Sequence, residues 1–177
     1  DEVVIPAPYW VSYPDMALLA EGTPITPYAG PEQGYKITPA QLERAITPKT
    51  RLFMLNSPSN PTGAAYTSAE LHALGAVLRR HPDVLIDMYE HIYWAKEPFC
   101  SFLTACPDLF DRTVTINGVS KSYAMTGWRI GFCGGPAGIV EAMSTIQSQS
   151  TSNPSSIAQK AAVTALNGDQ ACVAEMN

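Results

Sequence analysis

Short runs that are apolar at nearly every position alternate along this chain with stretches whose apolar residues recur every three or four. Residues 2–5, 51–56 (Arg51-Leu52-Phe53-Met54-Leu55-Asn56) and Val84-Leu85-Ile86 are of the first kind, and Thr113-Val114-Thr115-Ile116-Asn117 and Arg129-Ile130-Gly131-Phe132-Cys133 read as further strands. A strand buried on one face alternates apolar and polar residues, whereas an unbroken apolar run needs cover on both faces. Intervening helices supply that cover, so the pattern predicts an α/β fold with a mostly parallel sheet flanked by helices. Of 177 residues, 46% are hydrophobic and 15% charged. That suffices for a real core in one domain or slightly more, and is too apolar for a disordered chain.

Helix starts are marked by chemistry. Thr38-Pro39-Ala40-Gln41 and Thr67-Ser68-Ala69-Glu70 each set a threonine three residues before a Gln or Glu, the pattern of a capping box. The second predicts a helix through Leu71, Leu74, Val77 and Leu78, finishing on Arg79, Arg80 and His81. Further helices are expected over 14–21, over 136–148, and from Asn153-Pro154 to Gly168. The stretch 23–37, rich in Pro, Gly and Tyr, reads as loop or short edge strand.

Several function classes are excluded. The net charge of −5 lacks the basic footprint of a general nucleic-acid binder. No apolar run approaches the roughly 18 residues that a membrane span requires. The cysteines at 100, 106, 133 and 172 form no Cys-x-x-Cys pair, and His72, His81 and His91 do not cluster with them, so no metal site is expected. Reduced thiols in a cytoplasmic protein are the reading. Asp-Glu-Val-Val-Ile-Pro at the start is expected to be neither a signal peptide nor a natural beginning.

In a parallel sheet, ligands bind beyond the carboxyl ends of the strands. Ser57-Pro58-Ser59-Asn60-Pro61-Thr62-Gly63 follows one strand, Asp87-Met88-Tyr89-Glu90-His91 the next, and Ser120-Lys121-Ser122-Tyr123-Ala124-Met125-Thr126-Gly127-Trp128-Arg129 a third. These ends deliver an amide, an acid with a phenol, and an amine with a guanidinium. The Gly-rich stretch 131–138 lacks the Gly-x-Gly-x-x-Gly order of a nucleotide loop and reads as a strand-to-helix turn.

SPSNPTG, MYEH and SKSYAMTGWRIGF together resemble the class I pyridoxal-phosphate (PLP) aminotransferases of fold type I, in their aspartate aminotransferase-like branch. The resemblance covers the whole chain. It implies transamination between an aspartate-like amino acid and a 2-oxo acid, with PLP as cofactor and a homodimer as the assembly. It makes Lys121 the amine that forms the Schiff base and later shuttles the proton, a task that calls for partial burial and nearby cations. Arg129 resembles the phosphate-binding arginine, since a guanidinium fork suits a dianionic phosphate. Asn60 and Tyr89 resemble the pair that hydrogen-bonds the cofactor's 3-oxygen, and Trp10 the aromatic stacked on the pyridine ring. The family's serine three residues before the lysine is replaced by Gly118, and Ser120 is a weak substitute.

Two departures stand out. The family's aspartate, three residues before the tyrosine, keeps the pyridine nitrogen protonated. Ile86 occupies that position here, and Asp87 lies only two before Tyr89. The strand looks short, as though residues were absent between Ile86 and Asp87. Asp87 is the candidate replacement only if the strand slips, and electron withdrawal is expected to be impaired. Residues 1–177 also match only the PLP-binding large domain of the family pattern, without its N-terminal segment or its C-terminal small domain. Tyr28 and Tyr35 are loose candidates for a phosphate contact across a dimer. The alternatives are another fold type I PLP enzyme (a β-lyase, an aminocyclopropane-carboxylate synthase type or a decarboxylase) or an inactive truncated aminotransferase that at most binds PLP.

Overall fold

The structure, a computed structural model, describes residues 1–89 and 98–176. Among the described residues, six strands form one sheet: β1 (Glu2–Val4), β2 (Thr23–Ile25), β3 (Thr50–Asn56), β4 (Leu85–Tyr89), β5 (Thr113–Gly118) and β6 (Gly131–Gly134), in the order β2-β1-β3-β4-β5-β6. All neighbours pair in parallel except β5 and β6, which are antiparallel. The helices are α1 (Ser12–Leu19), α2 (Pro39–Ala45), α3 (Ser68–Leu78), α4 (Phe102–Ala105), α5 (Ala137–Ser150), α6 (Ser156–Asn167) and α7 (Ala171–Met176). The mostly parallel α/β architecture is therefore as the unbroken apolar runs require.

Both capping boxes are formed. Thr38 Oγ1 accepts the Gln41 N–H while Gln41 Oε1 accepts the Thr38 N–H at 2.8 Å. Thr67 and Glu70 repeat the exchange at the start of α3. These helices point Leu42, Leu71, Leu74 and Leu78 into the main core, where they meet Phe53 and Leu55 of β3 and Ile86 of β4.

Five elements differ from expectation. The strand expected over 84–86 runs from Leu85 to Tyr89, so Asp87 and Tyr89 lie within β4 rather than after it. Apolar patterning stops at an acid, but the ladder does not: Asp87 pairs with Met54 and Val114, and Tyr89 with Asn56 and Ile116, in unbroken register. The strand expected over 129–133 is Gly131–Gly134, because Arg129 and Ile130 complete a turn. The segment 98–112 contains α4 and a 3-10 turn over Pro107–Arg112, and α7 follows Gly168; periodicity over so few residues is too short to read.

Candidate functional site

The sheet order reverses between β1 and β3, since the chain places β2 on one side of β1 and β3 on the other. The carboxyl side of such a reversal opens a crevice between diverging connections. A narrow cavity of about 20 Å3 lies there, lined by Tyr9, Tyr13, Tyr35, Asn56, Ser59 and Tyr66 among others. That space admits about one water molecule. A larger ligand would have to lie outside it, along the open carboxyl edge.

Trp10 reaches that edge from the connection after β1. Its ring meets Tyr13 edge-on, centroids 5.5 Å apart at 86°, and remains partly exposed. Asn60 rides on the exposed tip of the loop after β3, and its backbone N–H donates to Asn56 Oδ1 at 2.8 Å. Asp87 and Tyr89 belong to the carboxyl half of β4 by register; their side chains lie outside the described residues.

Lys121 and Arg129 share one loop. Antiparallel pairing sets Gly118 opposite Gly131, and the Val119 N–H donates to Ile130 O at 3.3 Å. Residues between these points must turn back at the carboxyl end of β5. Inside the loop, the Ala124 N–H donates to Lys121 O at 3.0 Å and Thr126 Oγ1 to Ser120 O at 3.0 Å. Beneath it, Val119 and Ile130 pack on Ala158 and Ala162 of α6, whose small side chains let the helix approach closely. Tyr123 adds a tie from its hydroxyl to Gln170 Oε1 at 2.7 Å.

The Lys121 side chain is exposed, not partly buried as its expected role suggested. The loop ends are buried, whereas Lys121 in the turn between them is exposed. Arg129 is also exposed and holds a left-handed backbone at φ 55°, with Nη1 donating to Thr126 O at 3.0 Å. Among the described residues, no ion pair engages either cation. Two exposed cations, one a nucleophilic amine and one a planar fork, suit a ligand with an aldehyde and a phosphate. The donor set thus fits PLP on its chemistry.

Three supporting residues escaped the sequence reading. Asn56 closes β3 and bonds its own loop; Ser57 is fully buried; Tyr66 is buried beside the cavity. A polar residue at the end of an apolar strand is the one signal that marked Asn56. Among the described residues, no group of three His, Cys, Asp or Glu could hold a metal, and no helix is long and apolar enough to cross a membrane.

Comparison with known proteins points the same way. The family model for aminotransferase class I and II matches residues 1–177. An aspartate/prephenate aminotransferase of Nitrosomonas europaea is 65% identical over 179 residues, covering 99% of this chain and 45% of its own length. One of Cereibacter sphaeroides is 64% identical, covering 96% and 43%. Among solved structures, the aspartate aminotransferase from Rhizobium meliloti superposes with a TM-score of 0.95 at 50% identity, covering 99% of this chain and 44% of that one. The aromatic aminotransferase from Pyrococcus horikoshii gives 0.93 at 35% identity, covering 99% and 48%. The chain spans about half the length of the curated relatives it matches.

Proposed function

The chain belongs to the class I and II aminotransferase family, and from that membership we propose that residues 1–177 are the PLP-binding large domain of an enzyme transaminating an aspartate-like amino acid and a 2-oxo acid. The observation that carries this reading is the shared loop of Lys121 and Arg129, closed by the β5–β6 pairing on the edge where the Asn60 loop also arrives. When bound, PLP supplies an aldehyde that condenses with amines and a ring that withdraws electrons from the substrate α-carbon.

The chain's own groups divide the remaining work. Lys121 Nζ would hold the cofactor's aldehyde and would be the base that moves a proton to and from the substrate α-carbon. Arg129 would hold the phosphate and so orient the cofactor toward the amine. Asn60 and Tyr89 would hold the 3-oxygen, and Trp10 would hold the ring by stacking. Names of the relatives support aspartate as donor and add prephenate as an acceptor to test. A homodimer is the proposed assembly, and four free cysteines accord with a cytoplasmic setting.

Adding PLP to the chain is expected to produce an absorbance near the visible edge that Lys121→Ala abolishes. Identical spectra from the two proteins would end the Lys121 assignment. Product analysis with aspartate and 2-oxoglutarate then separates transamination (oxaloacetate and glutamate) from lyase chemistry (ammonia and pyruvate).

One observation favours a second reading, in which PLP binds but turnover is poor. The β4 register leaves the fully buried Ile86 three residues before Tyr89, where an acid would hold the pyridine nitrogen protonated. Asp87, one residue on, is the nearest acid in the strand. A single-turnover assay with aspartate, on wild type and Asp87→Ala, distinguishes the two readings. Unchanged spectra and rate in the variant would remove Asp87 from the site.

A further inference from the structure

Asn60 stands on an exposed tip, yet a hydrogen-bond donor that is to tune a cofactor oxygen must be held still. The structure shows what holds it. Asn56, the last residue of β3, bonds the loop at two points: its Oδ1 accepts the Asn60 N–H at 2.8 Å, and its Nδ2 donates to Pro58 O at 3.0 Å. The loop closes on itself through Ser59 N–H to Ala64 O at 2.8 Å and Gly63 N–H to Ser59 O at 2.7 Å, the latter with Gly63 at φ 72°. Buried Ser57 Oγ accepts the Tyr66 N–H at 3.1 Å.

The far end of the loop is latched to another segment. Tyr66, buried, accepts the Ile37 N–H on its hydroxyl at 2.9 Å. One residue earlier, Lys36 Nζ pairs with Glu70 of α3 at 2.6 Å. Tyr35, on the same segment, lines the cavity with Asn56 and Ser59. The loop carrying Asn60 is thus fixed at its root by the end of a central strand and at its exit by residues about thirty positions away in sequence.

We propose that Asn56 is a positioning residue that acts through Asn60, setting the place of the Asn60 side chain by holding its backbone amide, with Tyr66 as the second anchor of the same loop. The proposal rests on the reading of Asn60 as a ligand of the cofactor's 3-oxygen. An amide N–H on that oxygen favours its ionised form, so displacing Asn60 should weaken PLP binding and move the pH midpoint of the visible band upward.

The test is a double-mutant cycle on the PLP-loaded chain, reading PLP affinity and the pH midpoint of the visible band. Asn60→Ala and Asn56→Leu are each expected to weaken binding about tenfold, the loss of roughly one hydrogen bond. The double variant should be no worse than Asn60→Ala, because Asn56 works only through Asn60. Asn56→Asp keeps the acceptor for the Asn60 N–H and should recover most of the affinity. Additive losses, or an Asn56→Leu band that titrates as wild type, would overturn the proposal. An Asn60→Ala variant that binds and titrates as wild type would overturn the underlying reading of Asn60 instead. If Asn56→Leu does not fold, Tyr66→Phe takes its place in the cycle with the same expected non-additivity.

Discussion

Arg129 keeps a left-handed backbone at φ 55°, a conformation that costs a residue with a Cβ about 1–2 kcal/mol. Such outliers persist where something else is gained. Arg129→Gly is therefore expected to leave the thermal midpoint of the PLP-free chain unchanged or higher while weakening PLP binding; a lower midpoint with unchanged binding would refute both halves. Tyr66 carries a second prediction. Burial pushes its phenol up to about 12, against about 10 in an unfolded chain. Between those values the unfolded state releases a proton that the folded state keeps, so stability present below about pH 10 falls as pH rises toward 12. Denaturant titrations at pH 9 and 11 should show a larger loss for wild type than for Tyr66→Phe, and equal losses would place the phenol in contact with water. At this scale the sequence marks residues of unusual chemistry for a strand end, Lys121, Arg129 and Asn60, as the ones to test. Tyr66 was not legible, because a hydrogen bond spanning 29 positions leaves no local trace; Asn56, whose bonds to its own loop reach two and four positions on, was marked by nothing more than its polarity at the end of an apolar strand.

Among the elements, helix starts were the most legible, since a capping box is a local exchange between residues three apart. Strand ends were the least. Reading β4 as 84–86 followed the hydrophobic pattern to its first acid, whereas pairing with β3 and β5 carries the strand on to Tyr89. The finish of α3 shows a device no motif announces. Arg112 donates to the carbonyls of Leu78, His81 (2.7 Å) and Val84 (2.9 Å), joining the end of α3 to the start of β4 from just before β5. Burial holds that guanidinium below its ordinary pKa. Arg112→Met should strand these acceptors and cost about 2 kcal/mol, read as a lower denaturation midpoint with an unchanged m-value. A loss under about 0.5 kcal/mol would mean that water replaces the guanidinium.

Across the whole molecule, burial is uneven. Among the described residues, the main cluster joins seventeen buried residues between Val4 and Leu109, whereas the cluster beneath the Lys121 loop has four. No residue of α5 is buried, and Ile146 on it is 71% exposed. Local stability follows buried contacts. Amide hydrogen exchange should therefore be slowest in β3 and α3 and faster by orders of magnitude in α5 and α6; uniform protection would show one cooperative unit. The parallel architecture was legible because two-sided burial writes itself as apolar runs, but this gradient was not, since α5 carries the same letters as a packed helix. The closure of β5 on β6 bears on how such a chain can vary. With Gly118 and Gly131 fastened opposite each other, the twelve residues from Val119 to Ile130 act as a bowstring of set length. Letters along it can be traded one at a time, but an inserted or dropped residue would rotate everything downstream relative to the amine, so tally rather than spelling is what divergence must respect there.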